Sequence, residues 1–286
     1  MNPVEHRAPV NDIELCWFEW NADAPGQVML FAHATGFHAR VFDAVIEHFP
    51  DRRVLSLDLR GHGRSGGGPI EDWREVGADI VALADRLDLN GLIGIGHSMG
   101  AHNLLQCSAD RPDLFARTVL FDPVILAPEF YQGENFGFDP DEQHPTAKRK
   151  NDFDSPEAMF ERFHDRMPYE LFDPRVLRDY CEYGLLPKAD GEGFELACAP
   201  ETEASVYMSS RSNTGIIDAA KTVETPTLVV RAKRSEKHDF LGSPVWPQLA
   251  AIIPGGEDMH RPDMTHFHPF QDPADAARIV REFAGL

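Results

Sequence analysis

The stretch that decides the fold is "LIGIGHSMGAHNLL", Leu92 to Leu105. Inside it, Gly96-His97-Ser98-Met99-Gly100 sets a serine between two glycines, after an apolar run and before a helical one. "GLIGIG" reads as a buried strand and "MGAHNLLQCSAD" as the helix that follows. The serine is then either part of an ordinary Gly-rich turn or a nucleophile on a strained strand-to-helix elbow. In the second case the glycines have a steric task, because side chains at 96 or 100 would crowd the neighbouring helix and strand.

The chain around this junction repeats its rhythm. "IELCWFEW" (Ile13 to Trp20) is aromatic and β-prone and reads as a strand near a sheet edge. "QVMLFAH", "RRVLSLD", "ARTVLFD" and "TPTLVVRAK" are short apolar runs without period-two alternation, as expected of strands buried on both faces. "WREVGADIVALADRLDL" (Trp73 to Leu89) has helical spacing and stops at Asn90-Gly91. "SPVWPQLAAII" reads as a short helix, "GGEDMH" as a weak strand, and "DPADAARIVREFAGL" as a helix capped by Asp272-Pro273. Such alternation predicts an α/β fold, a mostly parallel central sheet with helices on both faces.

Between residues 123 and 215 the rhythm breaks into aromatics and methionines such as Phe136, Phe138, Phe153, Phe160, Phe163, Met167, Tyr169 and Phe172. Ser155-Pro156 and Asp173-Pro174 are helix-start signals there. The expectation is a core of residues 1–122 and 216–286, carrying a helical insertion over 123–215. Most of the insertion's aromatics then pack its own small core.

Composition narrows the function. Forty-seven acidic residues against 27 basic ones give a net charge of −20, which repels phosphate backbones and anionic lipid. Nucleic acid and membrane surfaces are therefore excluded as expected partners, leaving a small-molecule substrate. No apolar run approaches the ~20 residues of a membrane span, and the first residues lack a signal-peptide pattern. The four cysteines (Cys16, Cys107, Cys181, Cys198) are scattered without a C-x-x-C pair, which suits reduced thiols in a cytoplasmic protein.

A nucleophilic serine needs a base, an acid to orient that base, and N–H donors for the developing oxyanion. In the elbow arrangement these follow in the order serine, acid, histidine at strand ends. "MTHFHPF" supplies the base, His266 ahead of His268. The acid stays open: Asp122 closes "VLFDPV", while Glu236 and Asp239 follow the next strand in "VVRAKRSEKHDF", a loop that looks solvent-facing. Asp122 is slightly favoured. The oxyanion donors are the N–H of Met99 and one from "HATGF", Thr35 before Phe37. His33 there reads as a residue that orders the loop.

At this point the chain resembles the α/β-hydrolase fold superfamily, in its serine-nucleophile branch with a helical cap. The resemblance is carried by His33-Ala34-Thr35-Gly36, Asp58-Leu59-Arg60-Gly61-His62-Gly63-Arg64-Ser65, the Ser98 elbow and Thr265-His266-Phe267. It covers about residues 10–122 and 216–286. Two departures stand out: His33-Ala34 where many members have His-Gly, and Ala232-Lys233-Arg234-Ser235-Glu236 where the usual acid motif follows the seventh strand. Asp122 occupies the alternative acid site that some branches use.

The resemblance implies a hydrolase acting through an acyl-enzyme on Ser98, with no metal and no organic cofactor. A small, fairly apolar carboxylic ester, thioester or lactone is the leading substrate. Hydrolysis of a C–C bond in a vinylogous diketone is the alternative, with Arg162, Arg166 and Lys188 as basic residues for an anionic substrate. A ligand-binding member without turnover is the non-catalytic alternative.

Overall fold

A computed structural model describes residues 2–132, 143–235 and 240–286 of the chain. In chain order, β1 (Val4–Val10), β2 (Ile13–Trp20) and β3 (Met29–Ala32) precede α1 (Asp43–Ile46) and β4 (Val54–Asp58). Then come α2 (Trp73–Arg86), β5 (Leu92–His97), α3 (Met99–Asp110) and β6 (Phe115–Phe121). The segment after β6 carries β7 (Asp152–Phe153), α4 (Pro156–Phe163), α5 (Pro174–Tyr183), β8 (Leu185–Pro187), β9 (Phe194–Leu196) and α6 (Pro200–Met208). The chain closes with α7 (Ile216–Ala220), β10 (Thr227–Ala232), α8 (Leu249–Ile252), β11 (Gly256–Arg261), α9 (His268–Gln271) and α10 (Pro273–Ala284).

Eight strands form the central sheet in the order β1-β2-β4-β3-β5-β6-β10-β11. β1–β2 and β2–β4 pair antiparallel, and the other neighbours run parallel. β5 and β6 thus lie inside the sheet, and their C-terminal ends open at the same edge. β2 lies one place in from the edge. The outermost strand, β1, was not anticipated, because its charged residues give it no apolar run.

Alternation along the strands feeds two cores. Met29 and Phe31 point to the face packed by α10, with Phe42, Phe49, Phe270 and Ile279. Leu30 and Ala32 point to the other, with Trp73, Ile80, Leu104 and Leu105 of α2 and α3. Burial of each such side chain stabilises the fold by roughly 1.5–3 kcal/mol. Helix starts follow the expected chemistry: Ser155, Asp173 and Asp272 each accept a backbone N–H at an N-cap followed by proline.

The insertion is largely helical, with one addition that the sequence did not announce. β7, β9 and β8 form a small antiparallel sheet among its helices. These strands are two or three residues long, too short for period-two patterning to register. Phe136 and Phe138 lie outside the described residues.

Candidate active site

Ser98 sits between β5 and α3 with φ +55° and ψ −115°, a backbone conformation that few residues other than glycine adopt. What makes the turn possible is close approach on both sides. A Cβ on Gly96 would lie 2.5 Å from Ala101 Cα of α3, and one on Gly100 would lie 2.2 Å from the Ala32 carbonyl oxygen of β3. The glycines are therefore required by space, as the sequence suggested. The Ser98 N–H donates to the Phe121 carbonyl at 3.0 Å, which ties the elbow to the end of β6.

Asp122 follows β6 directly, with φ +47°, and is almost fully buried. Its Oδ2 accepts from His266 Nδ1 at 2.5 Å, and His266 Nε2 accepts from the Ser98 hydroxyl at 3.0 Å. Its Oδ1 accepts from the Ala232 N–H at 2.9 Å and from the Ser243 hydroxyl at 2.5 Å. Ser98, His266 and Asp122 are thus one hydrogen-bonded line, and both carboxylate oxygens are used. Of the other carboxylates considered, Glu236 and Asp239 lie outside the described residues.

His266 is held from its backbone as well. Its N–H donates to the Leu241 carbonyl at 3.0 Å, and its carbonyl accepts from His97 Nε2 at 2.7 Å. Burial keeps the His97 imidazole neutral, its pKa pushed well below the usual value, so its single ring proton sits on Nε2. The structure does not bring His268 to Ser98. Its Nε2 meets Asp275 at 2.8 Å, and its ring packs edge-on against Phe121.

On the loop after β3, His33 accepts the Leu59 N–H at Nε2 (3.0 Å) and donates from Nδ1 to the Ala34 carbonyl (2.7 Å). Burial pushes its pKa down as well, and it orders the loop as expected. The Phe37 N–H is already given to the Ala34 carbonyl at 3.2 Å, which removes it as an oxyanion donor. Thr35 lies in the wall of the chamber above Ser98. The Met99 N–H heads α3, where no intrahelical acceptor exists.

That chamber encloses about 220 Å³ and is walled by Ala34, Phe37, Trp73, Val124, Phe240 and Phe267 around Ser98 and His266. The wall is mostly apolar, and Thr35, Tyr207 and Ser210 are its polar members beside the reacting groups. Of the insertion's basic residues, Arg162 lines an adjoining chamber, Lys188 pairs with Asp152, and Arg166 is exposed elsewhere. Ser243 and His97 escaped the sequence reading: Ser243 has no motif around it, whereas His97 stands inside the pentapeptide and was passed over. Among the described residues no cluster of His, Cys, Asp or Glu could hold a metal ion, and the four cysteines are free and buried. No helix among them is long and apolar enough to cross a membrane.

Comparison with known proteins agrees with this architecture. The model of the alpha/beta hydrolase family matches residues 29–279. The 2-(acetamidomethylene)succinate hydrolase of Mesorhizobium japonicum is 28% identical over 82% of this chain and 81% of its own. The sn-1-specific diacylglycerol lipase ABHD11 of Danio rerio is 22% identical over 89% of this chain and 75% of its own. Lipase LipV of Mycobacterium tuberculosis is 32% identical, but the match spans 40% of this chain and 43% of that protein. Among solved structures, E-2-(acetamidomethylene)succinate hydrolase superposes over the whole of both chains, with a TM-score of 0.78 at 21% identity.

Proposed function

The chain belongs to the alpha/beta hydrolase family, and on that premise we propose that it is a serine hydrolase cleaving a small carboxylic ester through an acyl-enzyme on Ser98. The observation that carries this reading is the unbroken line Asp122–His266–Ser98 at the floor of an apolar chamber. Its relatives include proteins named as lipases and as a 2-(acetamidomethylene)succinate hydrolase, which supports hydrolysis without choosing a substrate.

In this mechanism the Ser98 oxygen attacks the ester carbonyl while His266 Nε2 takes its proton. Asp122 keeps the other ring proton on Nδ1, so that Nε2 is free to accept, and stabilises the imidazolium that forms. The N–H groups of Met99 and Thr35 hold the negative oxygen of the tetrahedral intermediate. The imidazolium returns its proton to the departing alcohol, leaving Ser98 acylated. Water then attacks the acyl carbonyl, giving its proton to His266. Collapse of the second intermediate releases the carboxylic acid and restores the serine.

The test is turnover of 4-nitrophenyl esters of increasing acyl length by the parent and by Ser98→Ala. Turnover that vanishes in the variant upholds the reading, and the best acyl length measures the chamber. Equal rates in the two proteins, or no turnover of any ester, would overturn it.

A further inference from the structure

Beside the Ser98 chamber lies a second, of about 400 Å³, and the two share Thr35, Phe37, Tyr207, Phe240 and Phe267 as common wall. The outer chamber differs in charge. Lys148, Arg149, Lys150 and Arg162 line it against a single carboxylate, Glu203, among the described residues. In a chain of net charge −20 this is a local reversal of sign, and a cleft lined by one sign concentrates oppositely charged solutes.

Arg149 is the inner cation. Its Nη1 pairs with Glu203, which is buried beneath the loop of Gly36: a Cβ there would stand 2.7 Å from Glu203 Oε1. The Nη2 of Arg149 reaches the Tyr180 and Tyr169 hydroxyls at only 3.2 and 3.4 Å, so those contacts are weak. Burial pushes the Tyr180 and Tyr207 phenols well above their usual pKa, so both stay protonated and can donate. At the rim, Lys148 and Arg162 are exposed and make no ion pair with a described residue. Among the described residues the chamber thus offers a planar guanidinium, phenol donors and two cations without an ion pair, against one carboxylate that is already engaged.

We infer that the outer chamber is a carboxylate subsite, and that the ester this protein cleaves carries a carboxylate on an arm reaching past Phe37 and Tyr207. A carboxylate suits the Nη2 side of Arg149, the neighbouring hydroxyls and the exposed Lys148 and Arg162 better than a neutral chain does. The inference rests on the serine-hydrolase reading of the inner chamber. It replaces the expected fairly apolar substrate with one that is apolar at the scissile end and anionic at the other.

The experiment has two parts. The first compares kcat/KM within matched pairs: 4-nitrophenyl hydrogen adipate with its methyl ester, and 4-acetoxybenzoate with methyl 4-acetoxybenzoate. The anion lies on the acyl arm in one pair and on the leaving arm in the other. We expect at least a tenfold preference for the anionic member of one pair. It should shrink in 0.5 M salt and fall toward unity in the Lys148→Gln/Arg162→Gln double variant. The second part measures calorimetric binding of monomethyl adipate and dimethyl adipate to Ser98→Ala, which needs no turnover. Equal turnover within both pairs and equal binding overturn the subsite while leaving the hydrolase. Tighter binding of the monoester without turnover of any ester keeps the subsite and overturns the ester reading. Neither binding nor turnover overturns both.

Discussion

Ser243 and His266 hold opposite oxygens of one carboxylate: the Ser243 hydroxyl donates to Asp122 Oδ1 and His266 Nδ1 to Oδ2, each at 2.5 Å. The serine thus fixes the rotation of the group that orients the imidazole. Ser243→Ala should lower kcat/KM on a neutral ester about tenfold, the loss of one hydrogen bond to a charged group. Ser243→Thr, which keeps the hydroxyl, should recover most of it. Initial-rate kinetics decide the matter, and a change under twofold in the alanine variant would show that Ala232 alone holds Asp122 in place.

The proposed assignment of the acid separates three carboxylates by experiment. Asp122→Asn should reduce kcat by about 10⁴, because an amide favours the wrong ring tautomer. Glu236→Gln and Asp239→Asn should leave kcat within about twofold. A collapse of activity in Glu236→Gln with Asp122→Asn still active would reverse the assignment.

At the elbow the expected cost is structural first. Gly100→Ala sets a methyl 2.2 Å from the Ala32 carbonyl oxygen, a contact that backbone must move to relieve. Overpacking of this kind costs about 1–3 kcal/mol, read as a lower urea midpoint with little change in slope. An unchanged midpoint would mean that α3 slides without penalty.

Asp179 gives a pH dependence of stability. Burial and the nearby Asp43 carboxylate raise its pKa to about 7, and its Oδ2 has no hydrogen-bond partner. Its folded pKa lies above the ordinary 3.8, so its favourable contribution is complete below pH 4. That contribution fades as pH rises through 7. Asp179→Asn should therefore gain on the parent between pH 4 and pH 8, by roughly 1–2 kcal/mol once solvent screening is allowed for. Urea titrations at the two pH values test it. A parent that gains stability relative to the variant on going to pH 8 would contradict the sign.

Most of the architecture was readable from local signals. Parallel strands buried on both faces must be continuous apolar runs, and helices announce themselves by Asp-Pro and Ser-Pro starts. Ser98 and His266 were readable because an elbow leaves a five-residue pattern and the candidate base lies after the last strand, before the C-terminal helices. Strand β1 was hidden because an edge strand half open to water can carry Glu5, His6 and Arg7. The partners of Asp122 were hidden for another reason. Ala232 and Ser243 reach it from 110 and 121 positions away, and no local pattern records such a contact. The cations of the outer chamber are likewise split between the segment before β7 and helix α4, and only folding gathers them.

The pairing of His97 with Phe121, across β5 and β6, places the residues that follow each of them, Ser98 and Asp122, side by side. A slip of one residue between these strands would turn one of the two to the opposite face of the sheet. The proposed hydrolysis would therefore double as a gauge of strand alignment. In refolding, the return of turnover would time the moment at which β5 and β6 lock into their native phase, apart from the earlier return of bulk secondary structure.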